Sequence, residues 1–547
     1  MENVIINNRK AGFWMRLAAA WLDILIICLL LKFIAIVLEQ FGVFDNFEYL
    51  VVSFVIAYLA IFIGGKGRTI GKVICGLSVR KTNNKPVGYL RGFLRELVGK
   101  LIAGIFLFLG FFWAGFFRSK RGWHDYIART VVEQDVRAAK RGRWILTVIL
   151  TISILFIISK VGLFFLSIST LQKKNVLRPD AVDVSSLTKA DHKPFVEYLK
   201  SNGKPPIEYV VDKFKQHDVV ILGEGHRVRE TCEFVSDLIE PLYYQAGIRY
   251  LAMEFLKYKN TSLANQLVTG ETYDEELVLD LFRDYGEIWG YQEYMDILRA
   301  VWQVNHTLPP KAEKFIVIGL DSDWDINVLR TGRSLWRLPG VIQRMIARDK
   351  FMAKVLDWKV LKKGQKALVH IGGHHDFTRY RQPIVKNGKL VREIPPRFGC
   401  ILYEKYKDKI FQIMLHRRHS SPKIIITDEA KSQPPLIGFL EDVLAKNGNV
   451  PVGFDVEGTP FAPLRDSKNY LFAYQNYVVF SDIAQGYIFL KPLKKLNLVS
   501  WAIGFVNKEN FEQLEDFLWR RGQIQKNECQ TPEELNERMK QWHDGKN

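Results

Sequence analysis

The chain has 547 residues, of which 48% are hydrophobic and 25% are charged, so it is long enough for two or three domains with their own cores. Its net charge is +19, and residues 1–143 hold 21 Lys and Arg against 9 Asp and Glu. This basic excess flanks long apolar runs, and the sequence has no basic stripe interleaved with aromatic residues. We therefore expect juxtamembrane charge and no nucleic-acid partner.

Four long apolar runs lie in the amino-terminal third of the chain. They cover residues 12–38, 49–63, 97–117 and 144–169. With flanking residues each can cross a bilayer, and the first is too long for a cleavable signal peptide. We therefore expect an all-α membrane domain with three to four spans, with the lipid bilayer as its partner, in a multi-pass protein of a bacterial inner membrane.

The side of the membrane on which the rest of the chain lies depends on the third apolar run. Arg9, Lys10 and Arg16 place the amino terminus in the cytoplasm, and residues 118–143 are basic again. If the third run is a re-entrant hairpin, this basic loop stays inside and the fourth run carries the large domain out of the cytoplasm. If the third run crosses fully, the orientation is reversed. We favour the first arrangement.

Charged residues within and after the apolar runs form a recognisable set. Arg16 and Asp23 stand seven residues apart on one helical face, where buried charges are either functional or paired. The structural alternative is that Arg16 and Asp125 pair with Asp23. A T-x-G-K…G-L-x-V stretch spans residues 69–79, and H-D-x-x-A-x-T spans residues 124–130. Together these features resemble the RDD membrane family over residues 8–135. The resemblance implies a small helical membrane domain, in some members linked to transport.

The remaining chain divides by composition and pattern. We assign residues 1–135 to the RDD-like transmembrane domain, 136–170 to an additional transmembrane helix and 171–205 to a polar linker. From residue 206 apolar strand-like runs alternate with helical spacing, which indicates a layered α/β domain with a largely parallel sheet over residues 206–510. Residues 511–547 form a charged helical tail.

Acids and imidazoles follow four of the predicted strands. Glu224 and His226 follow the run 219–222, and Glu254 follows the run 249–253. Asp321 and Asp323 follow the run 315–320, and His374 and His375 follow the run 367–373. Because the carboxyl ends of parallel strands meet at one edge of a sheet, we expect these side chains to share a pocket.

These residue types are suited to two kinds of chemistry. Imidazole and carboxylate groups are ligands for Zn, Fe or Mn, and they also form a general base with an orienting partner. The sequence has no G-x-S-x-G elbow and no Cys beside these histidines, so it does not support a nucleophilic triad. The remaining candidate for the nucleophile is a water molecule that is activated by His226 or by a metal.

Two short motifs connect the large domain to known families. Gly223-x-x-His226 recurs as Gly372-x-x-His375, and Glu254 ends another strand. This set resembles the superfamily of Tiki/TraB proteins, ChaN-like haem-binding proteins and erythromycin esterases. The Gly-Glu-x-His form is closest to the ChaN-like branch, whereas Glu230 and Glu254 are more similar to the esterase branch. The resemblance implies either a histidine–carboxylate hydrolase, often metal-assisted, or a haem-binding protein.

The candidate residues follow from both arguments. The catalytic candidates are His226, Glu224, Glu254 and His375, and the metal ligands would be His226, His375 and Glu254. Arg229, Glu230, Asp321, Asp323 and His374 are supporting candidates. Structural alternatives are helix capping by Glu224 or the aspartates, and an ion pair of Glu254 with Arg227 or Arg229.

Three functional hypotheses remain open at this stage. The first is a membrane-anchored hydrolase, esterase-like or peptidase-like, acting on an ester or amide. The second is a haem- or metal-binding module coupled to the membrane domain. The third is an RDD-type ion transporter with a regulatory soluble domain.

Overall fold

The computed structural model describes residues 8–40, 58, 62–99, 102, 109–135, scattered positions between 144 and 159, 178–285, 289–323, 341–386, 389–417, 436–520 and 524–543. The chain divides into two compact units, Met1–Ile168 and Ser169–Asn547. Each unit is considered by itself.

The amino-terminal unit contains a long apolar helix, α1 (Phe13–Gln40). By length and composition it is the one helix among the described residues that could cross a membrane, through its segment Phe13–Leu30. Most of the predicted apolar runs 49–63 and 144–169, and part of 97–117, lie outside the described residues. Three to four spans therefore stay a prediction.

The same unit contains a small antiparallel sheet that the apolar runs of the sequence do not predict. Its strands are β1 (Asn8–Lys10), β2 (Leu77–Lys81) and β3 (Thr130–Asp135), in the order β1-β3-β2. Along β3 buried and partly exposed residues alternate, which is the period of a strand with one buried face. The prediction of an all-α membrane domain is therefore wrong in this respect. Short helices complete the unit: α2 (Ile70–Ile74), α3 (Tyr89–Phe93), α4 (Leu109–Phe116) and α5 (Trp123–Ile127).

The charged residues of this unit form two separate sets of contacts. Asp125 is fully buried and pairs with Arg16 and, at 2.9 Å, with Arg95. Asp23 does not pair with Arg16 as the structural alternative proposed. It is also buried and accepts hydrogen bonds from the Tyr58 hydroxyl (3.0 Å), the Thr69 hydroxyl (2.5 Å) and the Gly71 N–H (2.7 Å). Both aspartates therefore tie distant segments of the unit together.

The described residues of the large unit include eleven strands. In chain order these are β4 (Val182–Asp183), β5 (Val219–Glu224), β6 (Tyr250–Lys257), β7 (Ile316–Asp321), β8 (Ala367–Gly372), β9 (Pro383–Lys386), β10 (Lys389–Glu393), β11 (Ile410–Leu415), β12 (Val452–Asp455), β13 (Leu464–Arg465) and β14 (Gly486–Phe489), of which β4 precedes the α/β core. Seven of them form one sheet in the order β12-β14-β11-β5-β8-β6-β7. Its pairings are parallel except that of β12 with β14, so the predicted largely parallel sheet is confirmed.

Helices surround this sheet. They are α6 (Lys193–Asn202), α7 (Pro206–Lys213), α8 (Arg229–Tyr244), α9 (Thr261–Thr269), α10 (Glu275–Tyr285), α11 (Gln292–Thr307), α12 (Val341–Lys359), α13 (Phe398–Tyr406), α14 (Ile437–Lys446), α15 (Tyr470–Ala473), α16 (Phe480–Ile483), α17 (Phe511–Arg520) and α18 (Pro532–His543). Both faces of the sheet are covered. Val220 and Leu222 of β5 belong to one buried apolar cluster, and Val219 and Ile221 belong to another. A strand buried on both faces is the reason for the unbroken apolar run in the sequence.

The segments assigned to a linker and a tail pack into the large unit. Phe195 and Leu199 of α6 are buried in an apolar cluster with residues of β12 and β14. Leu514 of α17 and Leu535 of α18 are fully buried in the main core. These segments are therefore parts of the folded domain.

The sheet order decides which strand ends meet. β5 lies at the centre between β11 and β8, and β6 is the next strand beyond β8. The chain returns from the outer strand β7 to insert β8 between β5 and β6. The carboxyl ends of β5, β8 and β6 are therefore neighbours, at the edge where open α/β sheets bind ligands.

Candidate functional site

The side chains of Glu224, His226, Glu254, His370 and His375 come together at the strand ends and form the strand-end cluster. Glu224, the last residue of β5, is the buried acid at its centre. Its Oε1 accepts hydrogen bonds from the Tyr294 hydroxyl (2.5 Å) and from Nδ1 of His226 (3.0 Å). Its Oε2 accepts one from Nε2 of His370 at 2.6 Å. Burial acts to raise the pKa of Glu224, but the positive potential of His370 and the hydrogen bonds from both imidazoles outweigh it and lower that pKa to about 2. Glu224 is therefore a carboxylate at physiological pH.

His226 lies on the glycine turn after β5 and is the accessible imidazole of the cluster. Its side chain is 48% exposed, although its partner Glu224 is fully buried. The ring meets Trp289 and Phe255 edge-on, with centroids 5.4 and 5.6 Å away. Because Nδ1 faces Glu224, the Nδ1–H donates and Nε2 keeps its lone pair. Among the described residues, Nε2 has no hydrogen-bond partner.

Gly372 at the end of β8 provides the space for this imidazole. A Cβ added there would lie 2.4 Å from Cε1 and 2.9 Å from Nε2 of His226, and 3.1 Å from Oε2 of Glu254. The three residues therefore converge on one point. A side chain of any size at position 372 would displace the imidazole or the carboxylate.

Glu254 reaches this point from within β6. The pairing of β6 with β7 shifts register between Met253 and Lys257, an irregularity that redirects side chains near functional sites. The Gly372 N–H donates to its Oε2 at 2.6 Å. Burial acts to raise the pKa of Glu254, but His375 and Arg348 outweigh it and hold that pKa well below its ordinary value. Glu254 is therefore also ionised.

Arg348 of α12 neutralises two of the strand-end acids. Its Nη2 donates to Oε1 of Glu254 at 2.7 Å, and Nε and Nη2 together hold Asp321 in a bidentate pair with both distances 2.7 Å. The structural alternative predicted from the sequence is an ion pair of Glu254 with Arg227 or Arg229. The structure contains the ion pair, but its partner is Arg348.

His375 lies beside Glu254 and is enclosed by charged partners. Its Nδ1 is 2.6 Å from Oδ1 of Asp349, and its Nε2 is 3.4 Å from Oε1 of Glu254. Guanidinium nitrogens of Arg348 and Arg397 each lie 3.1 Å from that Nε2. The imidazole is 9% exposed. His375 is therefore a buried link between two arginines and Asp349.

His374 and Asp376 stand on either side of His375 in the chain. The pKa of His374 is held well below its ordinary value by burial and by the nearby Arg397 and Arg417, so this imidazole is neutral. Asp376 is fully buried and accepts from Nε2 of Gln412 at 2.8 Å. Burial raises its pKa to about 6.

Three supporting candidates lie outside this cluster. Glu230 accepts hydrogen bonds from Lys491 and Asn497 and so fastens the segment after β14. Arg229 pairs with Glu293 at 2.9 Å. Asp323 pairs with two lysines at and just after the end of β6: Lys257 (3.1 Å) and Lys259 (3.3 Å).

The contacts of the proposed metal ligands do not fit a metal ion. A tetrahedral or octahedral ion needs three or more open donor atoms, and of His226, His375 and Glu254 only His226 presents one. Within the described ranges, no group of three or more His, Cys, Asp or Glu side chains is spaced to hold a metal. The donor set is instead one of carboxylates satisfied by arginine, imidazole and backbone N–H groups.

Several residues of the cluster were missed in the sequence. His370 and Tyr294 hold Glu224, and Asp349, Arg348 and Arg397 surround His375. A histidine inside the apolar run of β8 is the one signal that could have been used, because an unpaired imidazole is rare in a strand buried on both faces. The others lie on helices or loops with no distinguishing motif.

The comparisons with known proteins divide at the same boundary as the two units. The RDD family model matches residues 10–129. YckC of Bacillus subtilis (strain 168) is 35% identical over 129 residues, which is 23% of this chain and 84% of YckC. The chain belongs to the RDD family. The membrane protein YteJ of the same organism is 31% identical over 144 residues, 24% of this chain and 87% of YteJ.

The large domain matches a second family model, described as haem-binding uptake, Tiki superfamily, ChaN, over residues 210–309. The solved structures similar to this RDD protein include ChaN of Campylobacter jejuni, with 16% identity, a TM-score of 0.26, and 38% of this chain and 85% of that chain covered. The erythromycin esterase EreC, in an open conformation, has 13% identity, a TM-score of 0.34, and 51% and 92% covered. The family model therefore identifies a ChaN-like domain that follows the RDD region.

Proposed function

We propose that the ChaN-like domain is a hydrolase in which His226 removes a proton from water and Glu224 orients the imidazole. The observation that carries this proposal is the Glu224–His226 pair at the end of β5, with Nδ1 bound at 3.0 Å and Nε2 open on a half-exposed ring. A general base needs this arrangement, with one nitrogen fixed by a carboxylate and the other available to the reacting proton.

The surroundings of Glu224 support a role in orienting rather than in proton transfer. Glu224 accepts three hydrogen bonds on its two oxygens. Burial acts to raise its pKa, but His370 and His226 lower that pKa to about 2. Glu224 therefore stays ionised while His226 gains a proton. A fixed negative charge beside Nδ1 stabilises the imidazolium formed in the reaction. Tyr294 and His370 are then positioning residues that act through Glu224.

Arg417 is the candidate for stabilising negative charge on the substrate. It follows β11, and its side chain packs against the glycine turns that follow β5 and β8. A Cβ added at Gly225 would lie 3.0 Å from Cβ of Arg417, and Nη2 of Arg417 donates to the Gly373 carbonyl at 3.1 Å. A guanidinium at this rim can bind the oxyanion that forms when water attacks an ester or amide.

The experiment is hydrolysis of a panel of ester and amide substrates by the purified full-length protein in detergent micelles. Wild type should hydrolyse at least one class, and His226→Gln should lower the rate by about 10²–10⁴-fold, the usual contribution of a general base. The matched control is His306→Gln, since His306 is an exposed histidine of α11 that stacks on Trp302. Equal loss in both variants, or no hydrolysis by wild type, would exclude the proposal.

Haem binding is the second candidate, and one observation favours it. One protein ligand is enough to hold a haem iron, and His226, with Nε2 open and Nδ1 held by Glu224, would be that ligand. The edges of Trp289 and Phe255 provide apolar contacts beside the ring. The description of the matching family model includes haem binding. The test is a Soret band on addition of haem that is present in wild type and His306→Gln but absent from His226→Gln.

We further propose that the RDD region is multi-pass and anchors the ChaN-like domain outside the cytoplasm. The basic residues before α1 and the apolar length of α1 support a cytoplasmic amino terminus. Reporter fusions after residue 172 test the orientation. An active cytoplasmic reporter at that point would contradict it. Because the oxygens of Asp23 bind Tyr58, Thr69 and Gly71, we do not propose an ion path through that residue.

A further inference from the structure

Arg227 is the residue that follows His226, and its guanidinium group is unpaired. Its side chain contacts the ring of Tyr291, whose centre lies 5.4 Å from the guanidinium carbon. Among the described residues, none forms a hydrogen bond or an ion pair with this guanidinium. Every other arginine of the large unit whose side chain is described has at least one such partner. Arg227 therefore keeps all five N–H groups of a guanidinium available.

The backbone at Arg227 has a left-handed conformation, with a φ of 67°. A Cβ is strained in this region, which favours glycine. Two hydrogen bonds hold the conformation: the Arg227 N–H donates to the Tyr294 hydroxyl at 3.1 Å, and the Val499 N–H donates to the Arg227 carbonyl at 3.2 Å. The Tyr294 hydroxyl also donates to Glu224, so it fixes both the turn that presents His226 and the residue after it. Because the turn itself does not require an arginine, the role of this residue lies in its side chain.

A short path of aromatic rings connects this guanidinium with the imidazole of His226. The ring of Trp289 meets His226 edge-on at 5.4 Å, and the ring of Tyr291 lies 5.9 Å from that of Trp289. Arg227 lies over Tyr291, and its Cα is about 3.8 Å from that of His226, as in any consecutive pair. Both side chains reach solvent. The guanidinium is therefore within reach of a small molecule that is bound at Nε2 of His226.

The charged residues nearest in the chain already have other partners. Arg229 pairs with Glu293 at 2.9 Å and donates to Oγ of Ser500 at 2.8 Å, so it is a structural arginine. Glu224 is held by two imidazoles and a tyrosine, and Glu230 is held by the segment after β14. An unpaired guanidinium beside carboxylates that are all satisfied is suited to an anion from outside the chain.

We propose that Arg227 binds a carboxylate on the substrate of His226, and so selects esters or amides whose acyl part has a second, charged end. The planar guanidinium matches a carboxylate with two parallel hydrogen bonds, and its single positive charge balances one negative charge. This proposal rests on the hydrolase function proposed above and adds the substrate class to it. Arg227 is a specificity residue, because it contacts the substrate away from the reacting carbonyl and takes no part in the proton transfer.

The test compares two pairs of para-nitrophenyl esters that differ in one charged group. The monoesters of adipate and suberate have a terminal carboxylate, and the hexanoate and octanoate esters are their uncharged counterparts of equal acyl length. The full-length wild type in detergent micelles should hydrolyse at least one charged ester with a kcat/KM about tenfold or more above that of its counterpart, the effect of a charge-assisted hydrogen bond.

The variants show whether this preference comes from Arg227. Arg227→Gln, which has the same backbone strain, should remove the preference, mainly by raising KM for the charged ester. Arg227→Lys should keep part of it, because the positive charge remains. Arg520→Gln, at an exposed arginine paired with Asp516, is the matched control and should keep all of it.

The opposite outcomes separate this proposal from the hydrolase function. No preference for the charged esters in wild type, or an equal loss with charged and uncharged esters in Arg227→Gln, would exclude the carboxylate site. If wild type hydrolyses none of the four esters, the hydrolase proposal fails, and equilibrium dialysis of the adipate monoester then tests Arg227 without turnover. Saturable binding that is lost in Arg227→Gln would support the site, and no binding would exclude it. Stronger displacement of that ester by inorganic phosphate than by free adipate would overturn the choice of a carboxylate.

Discussion

Replacing Glu224 by Gln tests whether the buried carboxylate organises the strand-end cluster. The side chain accepts three hydrogen bonds on two oxygens, and an amide would put a donor opposite one of those donors. Burial raises the pKa of Glu224, but His370 and His226 lower it by more, so that it is about 2 instead of 4.5. The difference corresponds to about 3 kcal/mol of stabilisation of the charged form. We expect Glu224→Gln to destabilise the large unit by about 3 kcal/mol at pH 7.

The stability difference between wild type and Glu224→Gln should also depend on pH, which is a second test of this prediction. A carboxyl whose pKa is lowered on folding contributes its full stabilisation above the unfolded value of 4.5, and loses it as the pH falls towards 2. The gap between wild type and Glu224→Gln should therefore shrink to about 1 kcal/mol at pH 3.

The assay is urea unfolding of the purified full-length protein in micelles, followed by near-UV circular dichroism at pH 7 and pH 3. Glu313→Gln is the control, because its side chain is 67% exposed and its ion pair with Arg249 is 3.9 Å long. That control should lie within about 0.5 kcal/mol of wild type. A Glu224→Gln protein within 1 kcal/mol (roughly the error of such comparisons) of wild type at pH 7, or a gap that does not narrow at pH 3, would refute the reasoning.

Three further predictions follow from the contacts. Gly372→Ala places a Cβ 2.4 Å from the His226 ring and should lower the rate of hydrolysis by about 10²-fold. Gly438→Ala, at a position with open space around it, should leave that rate unchanged. Initial rates of the two variants measure the difference. Arg348→Gln leaves two buried carboxylates without their counter-charge. It should destabilise the large unit by about 3–5 kcal/mol at pH 7, and by less at low pH. Thermal unfolding measures this, and an unchanged melting temperature would contradict it. Asp125→Asn should destabilise the RDD unit by about 3 kcal/mol in detergent unfolding, because two arginines lose a fully buried partner.

The strand ends of the large domain could be predicted from the sequence because each is an unbroken apolar run closed by a polar residue. The run before Glu224 is β5, and the run before His374 is β8. Burial on both faces removes the alternation of a half-exposed strand, and the length of the run then distinguishes it from a helix.

The partners of these residues could not be predicted, because they depend on the order of the strands. β8 follows β7 in the chain but lies between β5 and β6, and only this insertion brings Gly372 against His226 and Glu254. Arg348 comes from the helix α12, which is not one of the predicted strands and carries no motif. No local pattern identifies such an arginine.

Glu230 shows the limit of arguments from local spacing. It stands four residues after His226, the distance of one helical turn. The helix α8 begins only at Arg229, so His226 lies on the preceding turn, where helical spacing does not apply. The carboxylate points instead to the segment containing Lys491 and Asn497. An i, i+4 argument requires that both residues belong to the same helix.

The strand ends gather several imidazoles but leave the Nε2 of His226 open, while His370 and His375 are held by neighbouring charges. The most direct measurement is the rate of modification of each histidine by diethyl pyrocarbonate in the folded full-length protein, mapped by mass spectrometry. His226 should react fast, and its modification should abolish hydrolysis or haem binding, while His370 and His375 stay protected until the protein unfolds. Reaction of His375 at the same rate as His226, or a protected His226, would contradict the account.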